Sequence, residues 1–234
     1  MILPLSIIIP TFNEEKFLPK LLNSIKKQTL QPSEIIIADA FSQDSTRKIA
    51  KAFGVKVIDG GLPPVARNNG AKVATQEVLL FLDSDVVLPA SFLEETFTEM
   101  AKRKLAIASC LVTPRSSLKI DKVLHQFVNQ YMRLTQKINT HIPGACIFVK
   151  KEIHQKIKGF DESLILAEDH DYVRRAKKVG KFAYLKSYKI PISVRRLTED
   201  GRINVVLKYI AVELHLIFIG KIRKDIFKYR FGHY

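Results

Sequence analysis

The chain has 234 residues, of which 47% are hydrophobic and 26% are charged, a balance that excludes a disordered chain and suits one large domain. Its two cysteines, Cys110 and Cys146, exclude a disulfide framework and a zinc ribbon, so we expect a reducing, cytoplasmic location. The net charge of +15 is unevenly distributed, because residues 1–117 hold 14 basic and 12 acidic residues while the rest of the chain holds 24 basic and 11 acidic ones. The basic second half is either a solubilising surface or the binding face for an anionic partner.

Short apolar strands alternate with helical patterns through the first half of the chain. Four strands are predicted, at Leu5–Pro10, Glu34–Asp39, Val55–Ile58 and Val78–Asp83. Helices are predicted to begin after Asn13, after Ser42 or Asp44, and at Ala66. Such alternation requires parallel pairing through crossovers, so the predicted fold class is α/β, with a mostly parallel, doubly wound sheet flanked by helices.

The second half is less regular and ends in a helical tail. The predicted elements are a helix within Ile120–Ile138, a strand at Ala145–Val149, helices at Lys151–Ile157 and Glu168–Val179, a strand at Phe182–Leu185, and a tail helix from Ile203 onward. No targeting segment is predicted at Met1–Phe12, which lacks a basic start and a cleavage site. The most apolar stretch, Val205–Gly220, is interrupted by charged residues. A membrane-spanning helix needs roughly 18 consecutive apolar residues without such interruptions.

The carboxyl ends of the predicted strands are where a parallel sheet binds its ligands. Asp83-Ser84-Asp85 follows the fourth strand, and residues i and i+2 of an extended chain point to the same side. Two carboxylates there suit Mg²⁺ or Mn²⁺ holding a diphosphate. The alternative is a solvated turn that caps the next helix.

Other strand ends carry polar groups with two interpretations each. Asp39 is either an acceptor for a base or ribose hydroxyl, or a turn residue. Thr11, Asn13 and Glu14 suit a capped helix start whatever the function. Arg67 is either a phosphate-binding or base-stacking residue, or a surface arginine.

Three carboxylates crowd the start of a predicted helix at Glu168-Asp169-His170-Asp171. The helix dipole stabilises negative charge there, which alone explains the cluster. The functional alternative is a general base that takes a proton from an acceptor hydroxyl. Arg174 and Arg175, one turn later, would set its pKa and orientation.

These motifs, in this order, resemble the family-2 glycosyltransferases, which are inverting enzymes with the GT-A fold. The resemblance extends over roughly residues 4–190, and P-loop, dinucleotide and nucleophile-elbow motifs are absent from the sequence. It rests on the segments Ser6–Glu14, Glu34–Asp39, Ala66–Gly70, Phe81–Asp85, Gly144–Val149, Gly159–Glu162 and Glu168–Asp169.

The resemblance implies a role for each candidate residue. Donor-binding residues would be Pro10, Thr11, Asn13, Glu14, Asp39, Arg67, Asp83, Ser84 and Asp85. Asp39 would contact the base or ribose, Asp83 the ribose, and Asp85, with Asp83, a Mn²⁺ or Mg²⁺ cofactor on the diphosphate. Asp169 would be the general base with Glu168 as its neighbour. The donor would be a UDP- or GDP-sugar, and the acceptor a glycan or a polyprenyl phosphate.

The chain departs from the family pattern at three places. Ala40 and Phe41 stand where a second Asp and a Gly are usual, so base recognition is expected to differ. A late metal-binding histidine is not evident, and Arg195 and Arg196 occupy that region, where they could meet phosphate. The sequence has no tryptophan and no multiple spanning helices, so a non-processive, single-addition transferase is expected.

Three alternatives to an active glycosyltransferase remain open: a nucleotidyltransferase, a nucleic-acid-binding domain and a transferase fold without activity. A sugar-phosphate nucleotidyltransferase would carry a Gly-rich basic loop after strand one, which residues Thr11–Glu14 match poorly. A non-catalytic basic nucleic-acid-binding domain would explain the charge, but the usual modules are absent, and nucleic acid is not an expected partner. A degenerate transferase would bind without turnover.

The domain prediction divides the chain by function. Residues 1–198 form the transferase domain, with a nucleotide-sugar-binding half (1–115) and an acceptor-binding half (116–198). Residues 199–234 form an amphipathic basic helical tail, whose composition predicts peripheral attachment to an anionic membrane at the inner face of the cell membrane. The alternatives are a helix packed on the catalytic domain and a homodimer contact.

Overall fold

A computed structural model describes residues 2–227. Its strands are β1 (Ile2–Thr11), β2 (Gln31–Asp39), β3 (Lys56–Asp59), β4 (Val78–Leu82), β5 (Ile107–Pro114), β6 (Cys146–Lys150) and β7 (Phe182–Ile192). Its helices are α1 (Leu18–Lys26), α2 (Thr46–Ala52), α3 (Pro63–Val73), α4 (Phe92–Lys102), α5 (Lys119–Thr135), α6 (Lys151–Lys156), α7 (Glu168–Lys177), α8 (Arg195–Glu199) and α9 (Arg202–Phe218).

One seven-stranded sheet runs through both halves of the chain, in the order β3-β2-β1-β4-β6-β5-β7. The first four strands in that order are parallel, β6 is antiparallel to both of its neighbours, and β7 is parallel to β5. The predicted fold class, a mostly parallel α/β sheet flanked by helices, is therefore confirmed.

The β-branched run of β1 forms the centre of the core. Ile7, Ile8 and Ile9 are fully buried, because helices cover both faces of a parallel sheet and its inner strands read as continuous apolar runs. Helix α3 packs closely on this strand, since a Cβ built on Gly70 would overlap Cγ2 of Ile8. A glycine is therefore required at this point of the α3–β1 contact.

Two predicted helix starts, those of α1 and α3, are wrong, and for α2 the structure favours one of the two predicted caps. Helix α3 begins at Pro63 rather than at Ala66, because proline is well suited to the first turn of a helix. Helix α1 begins at Leu18, because Asn13 has a left-handed backbone (φ 52°) and its Oδ1 accepts the Gln43 N–H (2.9 Å) from the neighbouring loop. Helix α2 begins at Thr46, whose N–H donates to Asp44 Oδ1 (2.9 Å). Ser42, the other predicted cap, instead donates its hydroxyl to Asp39.

The sequence interpretation also missed β5 and shortened β7. Strand β5 is an apolar run buried along most of its length, and a short run without alternation carries no periodicity by which to identify it. Strand β7 continues to Ile192 rather than Leu185, and its pairing with β5 changes register between Cys110 and Leu111. That irregularity interrupts the pattern from which a longer strand would be read.

The carboxyl ends of β1, β2 and β4 meet at one edge of the sheet. Thr11 pairs in register with Asp39, and Asp39 with Asp59. Asp83 follows Leu82, the last residue of β4, which is parallel to β1. The predicted site residues of the first half are therefore gathered at this edge.

Helices α5 and α9 lie side by side in the same direction. Arg202 at the start of α9 contacts Asp121 near the start of α5 (2.7 Å), and Glu213 near the end of α9 accepts a hydrogen bond from Tyr131 near the end of α5 (2.9 Å). After α9 the chain returns to the domain, where Ile222 is buried and pairs with Leu166. Residues 228–234 of the predicted tail lie outside the described residues.

The exposed apolar residues of α9 are not a spanning segment. Among residues 2–227, no helix combines the length and the apolar character that crossing a bilayer requires.

Candidate active site

Asp39 forms hydrogen bonds with residues at the ends of both β1 and β2. Its fully buried Oδ1 accepts hydrogen bonds from the hydroxyls of Thr11 (2.9 Å) and Ser42 (2.6 Å), and its Oδ2 accepts the Ser42 N–H (3.0 Å). Arg47 Nη1 lies 3.4 Å from the same Oδ2. These bonds fix the turn that follows β2, and they align the carboxyl ends of the two strands.

The loop after β1 is held against the loop after β2 by further bonds. The Asn13 N–H donates to Ser42 Oγ (2.8 Å), and the Glu14 N–H donates to Thr46 Oγ1 (2.8 Å). Pro10, the penultimate residue of β1, is half-buried beside this loop. The Glu14 side chain is thereby fixed at the sheet edge, where it is 4% exposed.

Arg195, at the start of α8, brings Glu14 and Asp85 together. Its guanidinium nitrogens lie 3.3 Å from Glu14 Oε1 and 3.6 Å from Asp85 Oδ2. Burial raises the pKa of Glu14 to about 7, although Arg195 and a hydrogen bond from Ser84 act in the opposite direction. The sequence indicated that Arg195 could meet phosphate, but it gave no signal for the two carboxylate partners of this arginine.

Asp83 and Asp85 lie close together just after the end of β4, where the chain forms a turn and is no longer extended. Burial and the nearby Asp83 charge raise the pKa of Asp85. Asp83 Oδ1 lies 3.1 Å from Arg67 Nη2, while Ser84 between the two carboxylates is buried. The two aspartates therefore place two carboxylates at the sheet edge, and each is flanked by one arginine.

Arg67 connects the sheet edge to the start of α7. This arginine, only 3% exposed, donates from Nη1 to Glu168 Oε1 (2.7 Å) and from Nη2 to Asp83. It is therefore not a surface arginine. Burial raises the pKa of Asp169 to about 6, against the lowering effect of Arg67, and it raises the pKa of Glu168 as well.

Gly144 and Ala167 complete the surroundings of Asp169. A Cβ on Gly144 would lie 3.1 Å from Asp169 Oδ2 and 3.2 Å from Arg67 Nη2, so the loop before β6 passes directly over this pair. Ala167 has a left-handed backbone (φ 61°) immediately before α7, a conformation that costs a non-glycine residue about 1–2 kcal/mol. Strain of this kind concentrates at functional sites. The sequence showed neither the close approach nor the turn.

Asn68, next to Arg67, holds the turn that precedes α7. Its Nδ2 donates to the Phe160 carbonyl (2.9 Å) and to Glu162 (2.8 Å), and its Oδ1 accepts the Phe160 N–H (2.8 Å). Two motifs that are 92 residues apart in the sequence are thus joined directly.

The Asp83–Asp85 pair fits a divalent cation in its donor chemistry. Both residues offer hard carboxylate oxygens, and a magnesium or manganese ion commonly takes one or two such ligands and completes its shell with substrate phosphates and water. Burial, and after it the nearby Asp83 charge, raises the pKa of Asp85, and a cation bound between the two carboxylates would favour the ionised form of both.

The pattern of residues along the chain matches one protein family. Residues 6–158, well over half of the chain, match the family model described as glycosyl transferase family 2. The chain belongs to this family. The matched segment includes the sheet-edge residues from Pro10 to Asp85 and ends before Glu168 and Asp169.

Named relatives agree with the family. The chain is 24% identical over 188 residues to glycosyltransferase AglE of Haloferax volcanii, covering 75% of this chain and 62% of that protein. It is 29% identical over 188 residues to TarS of Staphylococcus aureus, a poly(ribitol-phosphate) β-N-acetylglucosaminyltransferase, covering 73% of this chain and 32% of that protein. The chain thus spans only about one to two thirds of these relatives' lengths.

Solved structures of two transferases share the GT-A fold of this chain. Staphylococcus aureus TarS in complex with UDP-GlcNAc superposes with a TM-score of 0.69 at 23% identity, covering 90% of this chain and 66% of that one. A mannosyltransferase from Pyrobaculum calidifontis, in complex with GDP-Man and Mn²⁺, gives a TM-score of 0.68 at 18% identity, covering 83% and 58%.

Proposed function

We propose that the chain is an inverting, non-processive glycosyltransferase that moves one sugar from a nucleotide-diphospho-sugar to an acceptor. The observation that carries this proposal is the chain of contacts from Asp83 through the buried Arg67 to Glu168, beside Asp169. It joins a donor-binding edge of the sheet to a carboxylate that can accept a proton. The UDP-GlcNAc and GDP-Man in the two solved relatives support a UDP- or GDP-sugar as donor.

The donor would lie along the carboxyl edge of the sheet. Asp39 and Thr11 would present the pocket for the base and ribose, and Asp83 would contact the ribose. Asp83 and Asp85 would hold Mn²⁺ or Mg²⁺, which when bound offers Lewis-acid stabilisation to a departing diphosphate. Arg195, 3.6 Å from Asp85, would add a second positive charge beside the phosphates.

Asp169 would act as the general base. With its pKa raised to about 6, it is largely ionised at neutral pH yet basic enough to take a proton from a hydroxyl. The acceptor oxygen would form a bond to the anomeric carbon as the bond to the diphosphate breaks. The acceptor proton would pass to Asp169, and a single displacement would invert that carbon. A phosphate acceptor would need little help from this base.

Donor binding and acceptor binding would be divided between two segments of the chain. Residues 1–115 would bind the nucleotide sugar, and residues 116–198, which contain Glu168 and Asp169, would bind the acceptor. The two halves share one sheet, so this is a functional division. Residues 199–234 would form a tail that binds the surface on which the acceptor is presented.

The tail would bind the surface of a membrane. Five apolar residues of α9 recur at intervals of four and three and are each at least half exposed, namely Ile203, Leu207, Ile210, Leu214 and Ile217. Helix α5, which lies beside α9, exposes a second apolar row that includes Phe127 and Leu134. Basic residues outnumber acidic ones on both helices. An apolar face with basic flanks suits an anionic bilayer, where a polyprenyl-phosphate acceptor would be presented.

A donor screen tests the proposed activity. UDP-, GDP- and dTDP-sugars are added with and without Mn²⁺, and the melting temperature is measured. A ligand at 100 times its Kd stabilises the folded state by about 2.7 kcal/mol, so one donor class should raise the melting temperature in a Mn²⁺-dependent way. Release of nucleoside diphosphate from that donor supports the transferase. Consumption of a nucleoside triphosphate with release of pyrophosphate would instead identify a nucleotidyltransferase.

A further inference from the structure

A cluster of two histidines and a glutamate lies beside the proposed base, with His170 Nε2 3.8 Å from Asp169 Oδ1. His141 precedes β6, His170 is the third residue of α7, and Glu213 belongs to α9. One ligand atom from each lies within 4.8 Å of the other two. From these residues we infer a second metal site, for Zn²⁺ or a similar transition-metal ion, that joins the C-terminal helix to the start of α7.

The geometry is close to what zinc requires. Both carboxylate oxygens of Glu213 lie 3.0 Å from His141 Nε2. Tetrahedral zinc with bonds of about 2.1 Å to nitrogen and oxygen places its ligand atoms roughly 3.4 Å apart. The ligand atoms of His141 and Glu213 are 3.0 Å apart, and the ligand atom of His170 lies within 4.8 Å of both. Small side-chain movements would therefore bring all three to the spacing that zinc requires. Two imidazoles and one carboxylate form a known zinc ligand set that leaves a fourth position open to water.

The two imidazoles of the cluster lie close together. The ring centroids of His141 and His170 are 4.7 Å apart and the rings are nearly perpendicular. His170 Nδ1 is buried without a hydrogen-bond partner among the described residues. A buried imidazole nitrogen without a partner costs free energy, and a metal ligand bond is one way to satisfy that atom.

The glutamate is oriented by hydrogen bonds to one of its two oxygens. Tyr131 Oη (2.9 Å) and Asn139 Nδ2 (3.3 Å) both donate to Glu213 Oε1. For Oε2, the contact among the described residues is His141 Nε2, which leaves this oxygen available to an ion. Outer partners of this kind fix the orientation of a metal ligand, and losing one typically lowers metal affinity 10- to 100-fold.

Arg174 opposes cation binding. Its Nη2 lies 3.4 Å from His141 Nε2, and its Nε donates to the Thr140 carbonyl (3.4 Å). The guanidinium would have to move away from His141 when the ion binds. Removing its charge should therefore strengthen metal binding, which gives the proposal a variant with an effect of the opposite sign.

The site would explain how α9 is attached. Only Val205 and Val212 of this helix are buried, and its exposed apolar row gives it little core packing of its own. A metal shared with His170 would fix α9 one residue away from Asp169. This inference is independent of the proposed transferase activity, because neither the ligands nor the test involves the donor.

The test is zinc binding by the full-length, untagged protein after treatment with EDTA. Competition with a chromophoric chelator should give one equivalent of Zn²⁺ bound, and Co²⁺ should produce visible absorption bands. Glu213→Gln and His141→Gln should each weaken binding at least tenfold, Tyr131→Phe should weaken it about 10- to 100-fold, and Arg174→Gln should strengthen it. His125→Gln, on α5 and outside the cluster, is the matched control and should bind zinc as the wild type does.

Two results would overturn the inference. One is a wild-type protein that binds no zinc, and the other is unchanged affinity in Glu213→Gln and Tyr131→Phe. Circular dichroism checks that each variant is folded. If Glu213→Gln or His141→Gln does not fold, Tyr131→Phe decides the matter, because it keeps all three ligands and removes one hydroxyl.

Discussion

Arg67 in α3 and Glu168 in α7 are 101 residues apart in the sequence and form a buried ion pair of 2.7 Å. The same guanidinium contacts Asp83 at the end of β4 (3.1 Å). One arginine therefore compensates a carboxylate after β4 and a carboxylate at the start of α7, and it links the proposed donor site to the neighbour of the proposed base.

Replacing this arginine should destabilise the fold. Arg67→Ala leaves Glu168 as a buried charge without its partner, and breaking a buried pair in this way typically costs about 3–5 kcal/mol. Denaturant unfolding measures the loss. Lys150→Ala is the control, because its pair with Glu152 is exposed and should contribute at most about 1 kcal/mol. A loss in Arg67→Ala as small as that of the control would contradict the role given to this pair.

Asp85→Ala should abolish Mn²⁺-dependent binding of the nucleotide sugar. The substitution removes one of two proposed metal ligands, and the fold should tolerate it because burial already disfavours the Asp85 charge. Isothermal titration with the donor, with and without Mn²⁺, measures the effect. Asp59→Ala, at the end of β3 with an exposed side chain, should keep the wild-type dependence. Equal Mn²⁺ dependence in Asp85→Ala and wild type would refute the metal assignment.

Asp169→Asn should fold and bind donor but lose transfer to a hydroxyl acceptor by a factor on the order of 10² or more. The amide keeps the shape of the side chain but cannot take the proton. The matched control is Asp171→Asn, because Asp171 already pairs with Arg175 (2.7 Å) and Lys221 (2.8 Å). Initial rates at saturating donor measure both variants. If the rate falls in Asp171→Asn instead, the base is Asp171, and if neither falls, the acceptor is not a hydroxyl.

His154 should make stability depend on pH. Its ring is buried against Tyr172 (2.9 Å), and burial, with Arg175 and Lys151 nearby, lowers its pKa from 6.5 to about 4. The folded state therefore binds this proton more weakly than the unfolded state does. The stability due to the neutral ring is present above pH 6.5 and is lost as the pH falls toward 4, by about 3 kcal/mol in all.

Urea unfolding at pH 7 and pH 4.5 measures this contribution. The loss of unfolding free energy between the two values should be smaller in His154→Gln than in wild type, whereas His125→Gln, on α5 and half-exposed, should retain the wild-type loss. Equal losses in His154→Gln and wild type would show that His154 does not cause the effect.

The tail should bind anionic vesicles through the exposed row of α9. The double substitution Leu214→Gln with Ile217→Gln removes two exposed apolar contacts and should reduce co-sedimentation with vesicles, and truncation after Thr198 should abolish it. Salt should weaken wild-type binding. Ile2→Gln, an exposed apolar residue at the start of β1, is the control. If full-length protein does not sediment, the acceptor is a soluble molecule, and a concentration-dependent dimer lost in the double variant would assign the row to a second copy.

The local sequence determined those features that depend on neighbouring residues. The β-branched run of β1 and the strand–helix alternation predicted the parallel sheet, because a strand buried on both faces needs a continuous apolar run. The position of Asp83 and Asp85 after an apolar strand predicted that both would lie at the carboxyl edge of the sheet, and the structure places them just after the end of β4. The same local signals failed at Asn13, whose side chain bonds across to Gln43 rather than capping its own helix.

Only the tertiary structure decided which distant groups meet. Arg67 could be read as a surface residue, but the fold buries it between Asp83 and Glu168. Arg195 was expected near phosphate, and the fold places it between Glu14 and Asp85. The cluster of His141, His170 and Glu213 has no ligand spacing along the chain, because its members come from three separate elements. The burial that lowers the pKa values of His141 and His170 is produced by long-range packing, which no local pattern of residues records.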